Sequence, residues 1–396
     1  MTRSMLPGVV PQRVNPGGNL PPHEVIGRDE FIAEMWETLQ RQSIVLTAER
    51  RIGKTSIVKK MRAEPRDGVG ALYRSFEHVR SRSEFVDLLL ADIRGDVPYL
   101  MSARRKVKGV LRDMGVRFDY GPVQAELPLR DDWKEVILKV FAALGDAGPI
   151  VFLWDEVPVM IGAVAENEGA DAAHELLDVL RVVRQTCDQA RMVFTGSIGL
   201  HHVVAGIQPV SYSRAPVNDM RPMVLGALSL DDAVRLTRNL FAGEGVRVAS
   251  DSTVAEAVAA VTSCIPFYVQ HVVKELSLHG GRVFGVADVE RVVADALRSP
   301  VDPWDVRQYR HRIDKYYTSH RRLTLAVLDA LAVATAALAL DDILNRVRSA
   351  MDADAEDVRR LLELLQLDHY IEKTPDGYRF AFGIVGRAWR VQRDLA

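Results

Sequence analysis

Short apolar runs alternate with segments of helical spacing through the first 225 residues of the chain. Ser43–Thr47 is a run rich in apolar and β-branched residues, a pattern typical of strands buried on both faces. Lys54–Ala63 follows with apolar residues on one helical face. A strand, a tight loop and a helix in this order predict the first unit of a parallel α/β fold.

The alternation continues to about residue 195. Residues 95–130 have mixed patterning and are expected to form an insertion, in which Gly115–Gly121 is a candidate hairpin. Repeated strand–helix units predict a parallel sheet covered by helices, with ligands bound at the carboxyl ends of its strands. The remaining strands are predicted at Gly70–Phe76, Ile150–Trp154 and Arg191–Thr195, and helices at Ser83–Ile93 (with Ser83 as N-cap), Trp133–Leu144 and Asp171–Ala190.

After about Leu225 the strand pattern stops and helical spacing takes over. A helical lid is predicted there, with a helix capped by Ser229 that runs to Phe241 and further helices at Ser252–Ser263 and Phe267–His279. Residues 300–396 then show three helices followed by a hairpin, the outline of a winged helix. Those helices are predicted at Arg321–Val333, Asp341–Ala350 and Ala355–Leu367, and the hairpin at Tyr370–Lys373 and Tyr378–Phe382.

These patterns divide the chain into four segments. Residues 1–22 are rich in proline and glycine and are expected to form an extended arm. Residues 23–225 form the α/β domain, 226–299 the helical lid, and 300–396 a winged-helix-like domain. The predicted fold class is α/β, with a helical lid and a C-terminal winged-helix domain appended to a parallel-sheet core.

Composition adds a few exclusions. The net charge of −2 provides no overall field to recruit nucleic acid or an anionic membrane. Two cysteines, Cys187 and Cys264, lack metal-ligand spacing and are expected to be thiols in a reducing compartment. The longest apolar stretch, Leu323–Leu340, carries Asp329 in its middle, and a buried helix running into a short strand is favoured over a membrane span. A soluble, cytoplasmic protein without membrane partners is the expectation.

The loop between the first strand and helix has the composition of a phosphate-binding loop (P-loop). Such a loop directs backbone N–H groups toward phosphate oxygens and ends at a helix N-terminus, where partial positive charge favours anions. Lys54 is expected to reach the β- and γ-phosphates of ATP, and Thr55 to offer its hydroxyl to Mg²⁺. Alanine stands at the position of the usual first glycine. The predicted phosphate-binding residues are Ala48, Glu49, Arg50, Arg51, Ile52, Gly53, Lys54, Thr55 and Ser56.

A second motif lies about 100 residues downstream of the first. Ile150–Trp154 is the most apolar strand of the chain and is followed by Asp155 and Glu156. Asp155 is expected to hold Mg²⁺ through water, and Glu156 to orient or deprotonate the attacking water. Together the two motifs predict an ATP- and Mg²⁺-dependent hydrolase built on a P-loop NTPase core, with Lys54 and Glu156 as catalytic residues.

The chain resembles ATPases of the AAA+/STAND-like branch of P-loop proteins, often called archaeal-type ATPases, with Cdc6/Orc relatives. The resemblance covers nearly all of residues 20–396. It is carried by Val25–Glu30, by Arg50–Ser56, by Leu153–Glu156, by Thr195–Gly199, by the lid with Ile265–Phe267, and by the C-terminal winged helix.

The resemblance implies roles for residues outside the two motifs. Ile26, Gly27 and Arg28 would lie near the adenine, Ser197 would occupy a polar catalytic sensor position, and Pro266 would start the lid helix that closes over the nucleotide. The lid departs from the usual Gly-x-Pro, because Cys264 stands where glycine is expected.

An arginine that completes the site in a neighbouring subunit is not singled out by the sequence. Homo-oligomeric assembly is common in the family, and four arginines remain open for this role: Arg181, Arg184, Arg214 and Arg221.

The charge of the C-terminal segment indicates which class of partner, DNA or protein, it can bind. The predicted recognition helix, Asp354–Asp368, has five acidic and two basic residues, so phosphates would repel it. A denser basic patch, Arg307–Arg322, favours a linker helix over a nucleic-acid surface. Two function classes therefore remain: a nucleotide-driven regulatory switch that engages a protein partner, which is favoured, and a DNA-associated ATPase. The identity of a protein partner is not given by the sequence.

Overall fold

The structure is a computed structural model of the chain. It describes residues 9–94, 101–114, 133–145, 148–196, 199–207 and 216–395. These residues fall into two units. The sheet unit comprises Pro21–Thr47 and Lys54–Leu225, and the lid unit comprises the N-terminal arm to Leu20, the loop Ala48–Gly53 and Gly226–Ala396.

The sheet unit is built on a parallel sheet, as the alternating pattern predicts; four of its five strands were predicted, and Arg221–Val224 was not. The third strand is buried along its whole length, because helices cover both faces of a parallel sheet. The strands are β1 (Ile44–Thr47), β2 (Gly70–Ser75), β3 (Ile150–Asp155), β4 (Ala190–Thr195) and β5 (Arg221–Val224), and their order in the sheet is β2-β3-β4-β1-β5. Every neighbouring pair is parallel, so all five carboxyl ends lie on one edge.

An aromatic cluster fixes the centre of this unit. Trp154 on β3 is fully buried, and its ring lies 5.4 Å from the rings of Phe76 and Phe85 and 5.7 Å from that of Phe194. Because these rings come from β3, β4, the segment after β2 and the helix Arg82–Arg94, they pack neighbouring strands and a covering helix into one core.

The helices of the sheet unit match the helices predicted from the sequence in part. They are α1 (Asp29–Leu39), α2 (Lys54–Ala63), α3 (Arg82–Arg94), α4 (Met101–Asp113), α5 (Trp133–Gly145), α6 (Val157–Glu168), α7 (Ala170–Thr186) and α8 (Leu200–Ile207). The prediction of Ser83 as an N-cap is wrong: the hydroxyl of Ser81 accepts the Glu84 N–H instead, at 3.2 Å. Within the insertion, α4 is helical, and the candidate hairpin Gly115–Gly121 lies outside the described residues.

Two further predictions for this unit need correction. A separate helix, α6, precedes α7, and Gly169 ends it with a φ of 98° that breaks the helical path. The predicted helix to Ala190 ends at Thr186, because Ala190 already pairs with Ile150 in the sheet.

The lid unit is mainly helical, but strands do not stop at Leu225 as expected. Two short parallel strands, β6 (Arg247–Val248) and β7 (Val283–Phe284), pair within it. The hydroxyl of Ser229 accepts the Asp232 N–H, which confirms the predicted cap. The lid helices are α9 (Leu230–Glu244), α10 (Asp251–Val261), α11 (Pro266–Leu278) and α12 (Val286–Arg298), the last of which the sequence analysis missed.

Polar contacts fasten the described part of the N-terminal arm to the lid helices. The Gln12 N–H donates to the Asn239 carbonyl at 3.0 Å, and the Val14 N–H donates to Glu244 Oε1 at 2.9 Å. The Asn15 N–H donates to Gln270 Oε1 at 2.7 Å. Repeated backbone donors give the arm a defined path along α9 and α11.

In the C-terminal segment, three helices near the predicted positions precede an antiparallel hairpin, and two further helices, Gln308–Tyr316 and Gly383–Gln392, flank them. Of the apolar stretch Leu323–Leu340, residues up to Ala332 are helical and Leu338 pairs with Tyr378, as predicted. Among the described residues, no helix combines the length and apolarity that crossing a membrane requires. The elements are α13 (Gln308–Tyr316), α14 (Arg321–Ala332), α15 (Leu340–Arg348), α16 (Ala355–Leu367), β8 (Ile371–Thr374), β9 (Gly377–Phe380) and α17 (Gly383–Gln392).

The turn before α11 explains why glycine is expected there. Cys264 has a φ of 55° and Ser263 a φ of 52°, both in the left-handed region that disfavours side chains. A hydrogen bond offsets part of the strain at Ser263, because its hydroxyl accepts the Ile384 N–H at 3.1 Å. Cys264 is held only through its backbone among the described residues: its N–H donates to the Ala259 carbonyl at 2.8 Å, and its carbonyl accepts the Leu228 N–H at 3.1 Å.

We therefore expect Cys264→Gly to raise the free energy of unfolding by about 1 kcal/mol, since it relieves left-handed strain. Urea unfolding of the whole chain measures this change. Ser263→Gly is the matched control, because it relieves similar strain but removes a hydrogen bond, so it should give no gain. Equal stabilisation by both variants would contradict the explanation.

Candidate functional site

The loop after β1 has the backbone geometry that a phosphate-binding loop needs. Gly53 has a φ of 108°, which only glycine adopts readily, and a Cβ at this position would meet no atom within 4 Å. Arg51 also has a positive φ, 70°. Ala48 lies outside the positive-φ region, so an alanine fits where the usual pattern has glycine.

Helix α2 begins directly after this loop and carries the next three predicted residues. Lys54 is 8% exposed and lies in the first turn with Thr55 and Ser56. The helix starts here because the backbone turns at Gly53, and Ile57, Val58 and Met61 anchor it by burial. The first turn therefore presents a lysine and two hydroxyls where the helix N-terminus favours anions.

The two sequence motifs meet at the carboxyl edge of the sheet. Thr55 Oγ1 donates a 2.6 Å hydrogen bond to Asp155 Oδ2, across a separation of 100 residues. Asp155 is 4% exposed, and its other oxygen accepts the Glu156 N–H at 3.1 Å. A hydroxyl and a carboxylate in contact are the hard oxygen ligands that Mg²⁺ prefers.

Glu156 has a left-handed backbone, with a φ of 59°, and stands at the N-cap of α6. The end of β4 approaches closely: a Cβ on Gly196 would lie 2.6 Å from Pro158 Cδ and 3.4 Å from Glu156 Oε2. Only glycine at position 196 allows this approach. The strained backbone and the neighbouring strand end together direct Glu156 to the edge where Asp155 lies.

Tyr73 belongs to the same site, although the sequence analysis did not select it. Burial, together with the nearby Asp155 and Glu156 carboxylates, raises the pKa of its hydroxyl well above the usual value. Tyr73 pairs in register with Leu153 on the neighbouring strand, two residues before Asp155. Its position could be inferred only once β2 is known to lie beside β3.

The polar sensor position predicted at Ser197 lies outside the described residues. Thr195, the last residue of β4, is 2% exposed, and its Oγ1 has no hydrogen-bond partner among the residues that the structure describes. A buried hydroxyl at the carboxyl end of a central strand is costly unless a ligand completes it. Thr195 is thus a further polar residue at this edge.

The side chains of the loop residues Ala48–Gly53 contact the lid unit, with which this loop groups. Glu49 is 1% exposed and lies 3.4 Å from Arg312 Nη1. Arg51 forms a 2.7 Å ion pair with Asp305, and Arg50 lies 3.5 Å from the same carboxylate. Ile52 is buried. Any phosphate contacts from this loop would therefore be made by its backbone.

The residues that the resemblance placed near the adenine precede α1. Gly27 has a φ of 67° and Arg28 is 6% exposed, while Ile26 is half-buried. Lys60 on α2 donates to the Pro22 carbonyl at 3.1 Å and thereby fastens this segment to α2. In the lid unit, Pro266 opens α11, as the resemblance implied.

The arginines considered for a neighbouring subunit have different surroundings. Arg184 is buried, and its guanidinium contacts Asp219 at 2.7 and 2.9 Å, so it holds its own chain together and cannot reach another subunit. Arg221 is half exposed and lies 3.1 Å from Glu34. Arg181 lies on α7 and Arg214 outside the described residues.

ATP and Mg²⁺ fit the groups present at the sheet edge. The Thr55–Asp155 contact supplies oxygen ligands for a hard cation, Lys54 supplies a positive charge, and the buried Thr195 hydroxyl lacks a partner among the described residues. The conformation of Gly53 opens the loop immediately before the α2 N-terminus.

Comparison with known proteins shows how far this arrangement is shared. No protein-family model and no curated protein matches the chain. Among solved structures, the Walker-type ATPase PABY2304 of Pyrococcus abyssi is similar over 95% of this chain and 99% of its own, with a TM-score of 0.65 and 16% identity. The ORC2 protein of Aeropyrum pernix, solved as ADPNP-ADP complexes, is similar over 97% of both chains, with a TM-score of 0.53 and 13% identity.

Both likenesses extend over nearly the whole chain, and at this identity they concern the fold. The parallel sheet, the loop before α2 and the acidic end of β3 are consistent with them. The chain therefore shares its fold with this Walker-type ATPase and with the Aeropyrum pernix ORC2 protein.

Proposed function

We propose that this chain binds ATP with Mg²⁺ and hydrolyses it, and that it acts as a cytoplasmic nucleotide-driven switch for a protein partner. The hydrogen bond between Thr55 Oγ1 and Asp155 Oδ2 carries the proposal. It brings together the ends of two motifs that are far apart in sequence and whose chemistry suits a magnesium nucleotide. The ADPNP-ADP complexes of the Aeropyrum pernix protein support nucleotide as the ligand class.

Each residue of the site has a separate task in this proposal. The loop Ala48–Gly53 contributes backbone N–H groups, and Lys54 contributes charge to the phosphates. Thr55 and Asp155 hold Mg²⁺, which when bound neutralises charge on the phosphates. Glu156 accepts the proton of the attacking water. Thr195 and Ser197 supply polar groups at the end of β4.

The charges of the C-terminal unit favour a protein partner over DNA. On α16, Arg359 and Arg360 lie 3.3 and 3.8 Å from the Glu356 carboxylate, so both are offset by an acid on their own helix. Val358 and Leu362 are buried beneath them. A net acidic helix offers little to phosphates, whose neutralisation provides most of the affinity for DNA.

Several arginines of the basic patch Arg307–Arg322 also pair with acidic residues of the same chain. Arg312 faces Glu49, and Arg321 donates to Asp314 at 2.5 Å. Arg310 lies 3.6 Å from Asp314 as well. These contacts support the interpretation of this segment as a linker between the lid and the winged-helix-like domain. A DNA-associated ATPase remains the alternative.

Lys54→Ala should weaken ATP binding by about a hundredfold, because charge-assisted hydrogen bonds to phosphate are worth up to about 3 kcal/mol. Calorimetric titration of Mg²⁺-ATP into each protein measures the affinity. Arg62→Ala is the matched control, since it removes an exposed cation from the same helix and should leave binding unchanged. Unaltered affinity in the Lys54 variant would refute the P-loop assignment.

Glu156→Gln should retain ATP binding and slow hydrolysis by about a hundredfold or more, as loss of a general base does. Phosphate release under saturating Mg²⁺-ATP measures the rate, and calorimetry measures the binding. Glu166→Gln, an exposed change on the same helix, is the control. Equal turnover in the Glu156 variant and the wild type would place the base elsewhere.

The whole chain should bind duplex DNA no more tightly than about 1 μM at physiological salt, the strong end of nonspecific binding. Fluorescence anisotropy with a mixed pool of duplexes at two salt concentrations tests this. The double change of Arg359 and Arg360 to alanine should leave the titration unaltered. Sub-micromolar binding with a steep salt dependence would favour the DNA-associated alternative.

A further inference from the structure

The second residue of the phosphate-binding loop is an acid whose side chain is fully buried. Glu49 Oε1 accepts the Arg50 N–H at 2.7 Å, so the carboxylate contacts the backbone of the loop itself. A buried carboxylate is stable only with a charged or hydrogen-bonding partner. The conformation of the loop at this point therefore depends on what faces Glu49.

The facing residue is Arg312, on helix α13 of the same unit. Its Nη1 lies 3.4 Å from Glu49 Oε1, and its side chain is 13% exposed. The guanidinium carbon lies 5.5 Å from the centre of the Tyr370 ring, and the Tyr370 hydroxyl donates to the Tyr309 carbonyl at 2.8 Å. Arg312 is thus held by residues from α13 and from the start of the C-terminal hairpin.

A second ion pair fastens the loop to the segment just before α13. Arg51 Nη2 lies 2.7 Å from Asp305 Oδ2, and its guanidinium carbon lies 4.4 Å from the centre of the Phe267 ring. Arg51 has the strained positive φ described above. Such strain persists only where surrounding contacts hold it, and Asp305 and Phe267 provide them.

We infer that Arg312 is a positioning residue, which acts through Glu49 to hold the phosphate-binding loop in its nucleotide-binding conformation. The inference rests on the proposed function and adds the route by which the C-terminal domain regulates it. A movement of α13 would remove the facing guanidinium from a buried carboxylate of the loop, and ATP affinity would fall. By linkage, ATP binding would stabilise the docked position of α13 to the same extent.

A double-mutant cycle on the whole chain tests this inference, with Glu49→Gln, Arg312→Met and the double variant. We expect each single change to raise the Kd for Mg²⁺-ATP by about tenfold, within the range of measured couplings. The double variant should bind no more weakly than the weaker single variant, because both changes remove one interaction. Arg312→Lys, which retains the charge, should recover part of the affinity and serves if Arg312→Met does not fold.

The matched control is Arg393→Met, which breaks the 2.6 Å ion pair with Asp329 in the same unit, away from the loop. This variant should lower the free energy of unfolding but leave the Kd within about twofold of wild type. Hydrogen exchange provides a second readout: ATP should slow exchange on α13 in the wild type and not in Arg312→Met.

Three results would overturn the inference. The Arg393 variant could weaken ATP binding as much as the Arg312 variant, the two single effects could add in the double variant, or ATP could leave exchange on α13 unchanged. Absence of ATP binding in the wild type would be a different result, because it refutes the proposed function on which the inference rests.

Discussion

The proposed site depends on the parallel direction of the five strands. Parallel pairing places every carboxyl end on one edge, so residues that follow β1, β3 and β4 meet there despite long separations in sequence. The hydrogen bond from Thr55 to Asp155 is a direct consequence, and Tyr73 reaches the same carboxylate from the neighbouring β2. An antiparallel sheet of the same strands would separate these groups.

Packing and chemistry are joined at the ends of these strands. Trp154 is fully buried among aromatic rings, and the next residue, Asp155, is the acid of the site. Trp154 anchors β3 in the core and thereby holds Asp155, the last residue of this strand, at the carboxyl edge of the sheet. At the end of β4, Gly196 allows the strand to approach α6, since any side chain there would collide with Pro158. Core residues thereby determine the geometry of residues with chemical roles.

Local signals made much of the fold predictable. The bounds of α2 and α16 follow from apolar spacing and from caps such as Asp354, whose carboxylate accepts the Glu356 N–H. Helix α12 has equally clear signals, with Val289 and Val293 buried on one face, so the sequence was sufficient to predict it. The strands β6 and β7 were not predictable, because two-residue strands gain stability only from a distant partner.

The residues of the candidate site are likewise of two kinds, those that the sequence indicates and those that only the structure brings together. The phosphate loop and the acids after β3 are contiguous motifs, which a sequence displays directly. Tyr73 required the strand order, and the contact between Glu49 and Arg312 joins residues 263 positions apart. Nothing in the spacing of single charges distinguishes Arg312 from its exposed neighbours. Its role becomes visible only through the burial of the carboxylate that it faces.

Several strained backbone conformations lie at or near the segments that form the proposed site. Arg51, Glu156 and Cys264 have positive φ values without being glycine, and they lie in the phosphate loop, after β3 and before α11. Each costs on the order of 1 kcal/mol, so it persists only where neighbouring contacts hold it. For Arg51 those contacts come from Asp305 and Phe267, and for Glu156 from the start of α6. Because a strained segment relaxes when its support moves, a shift of α13 and of the segment before it would change the conformation of the phosphate loop.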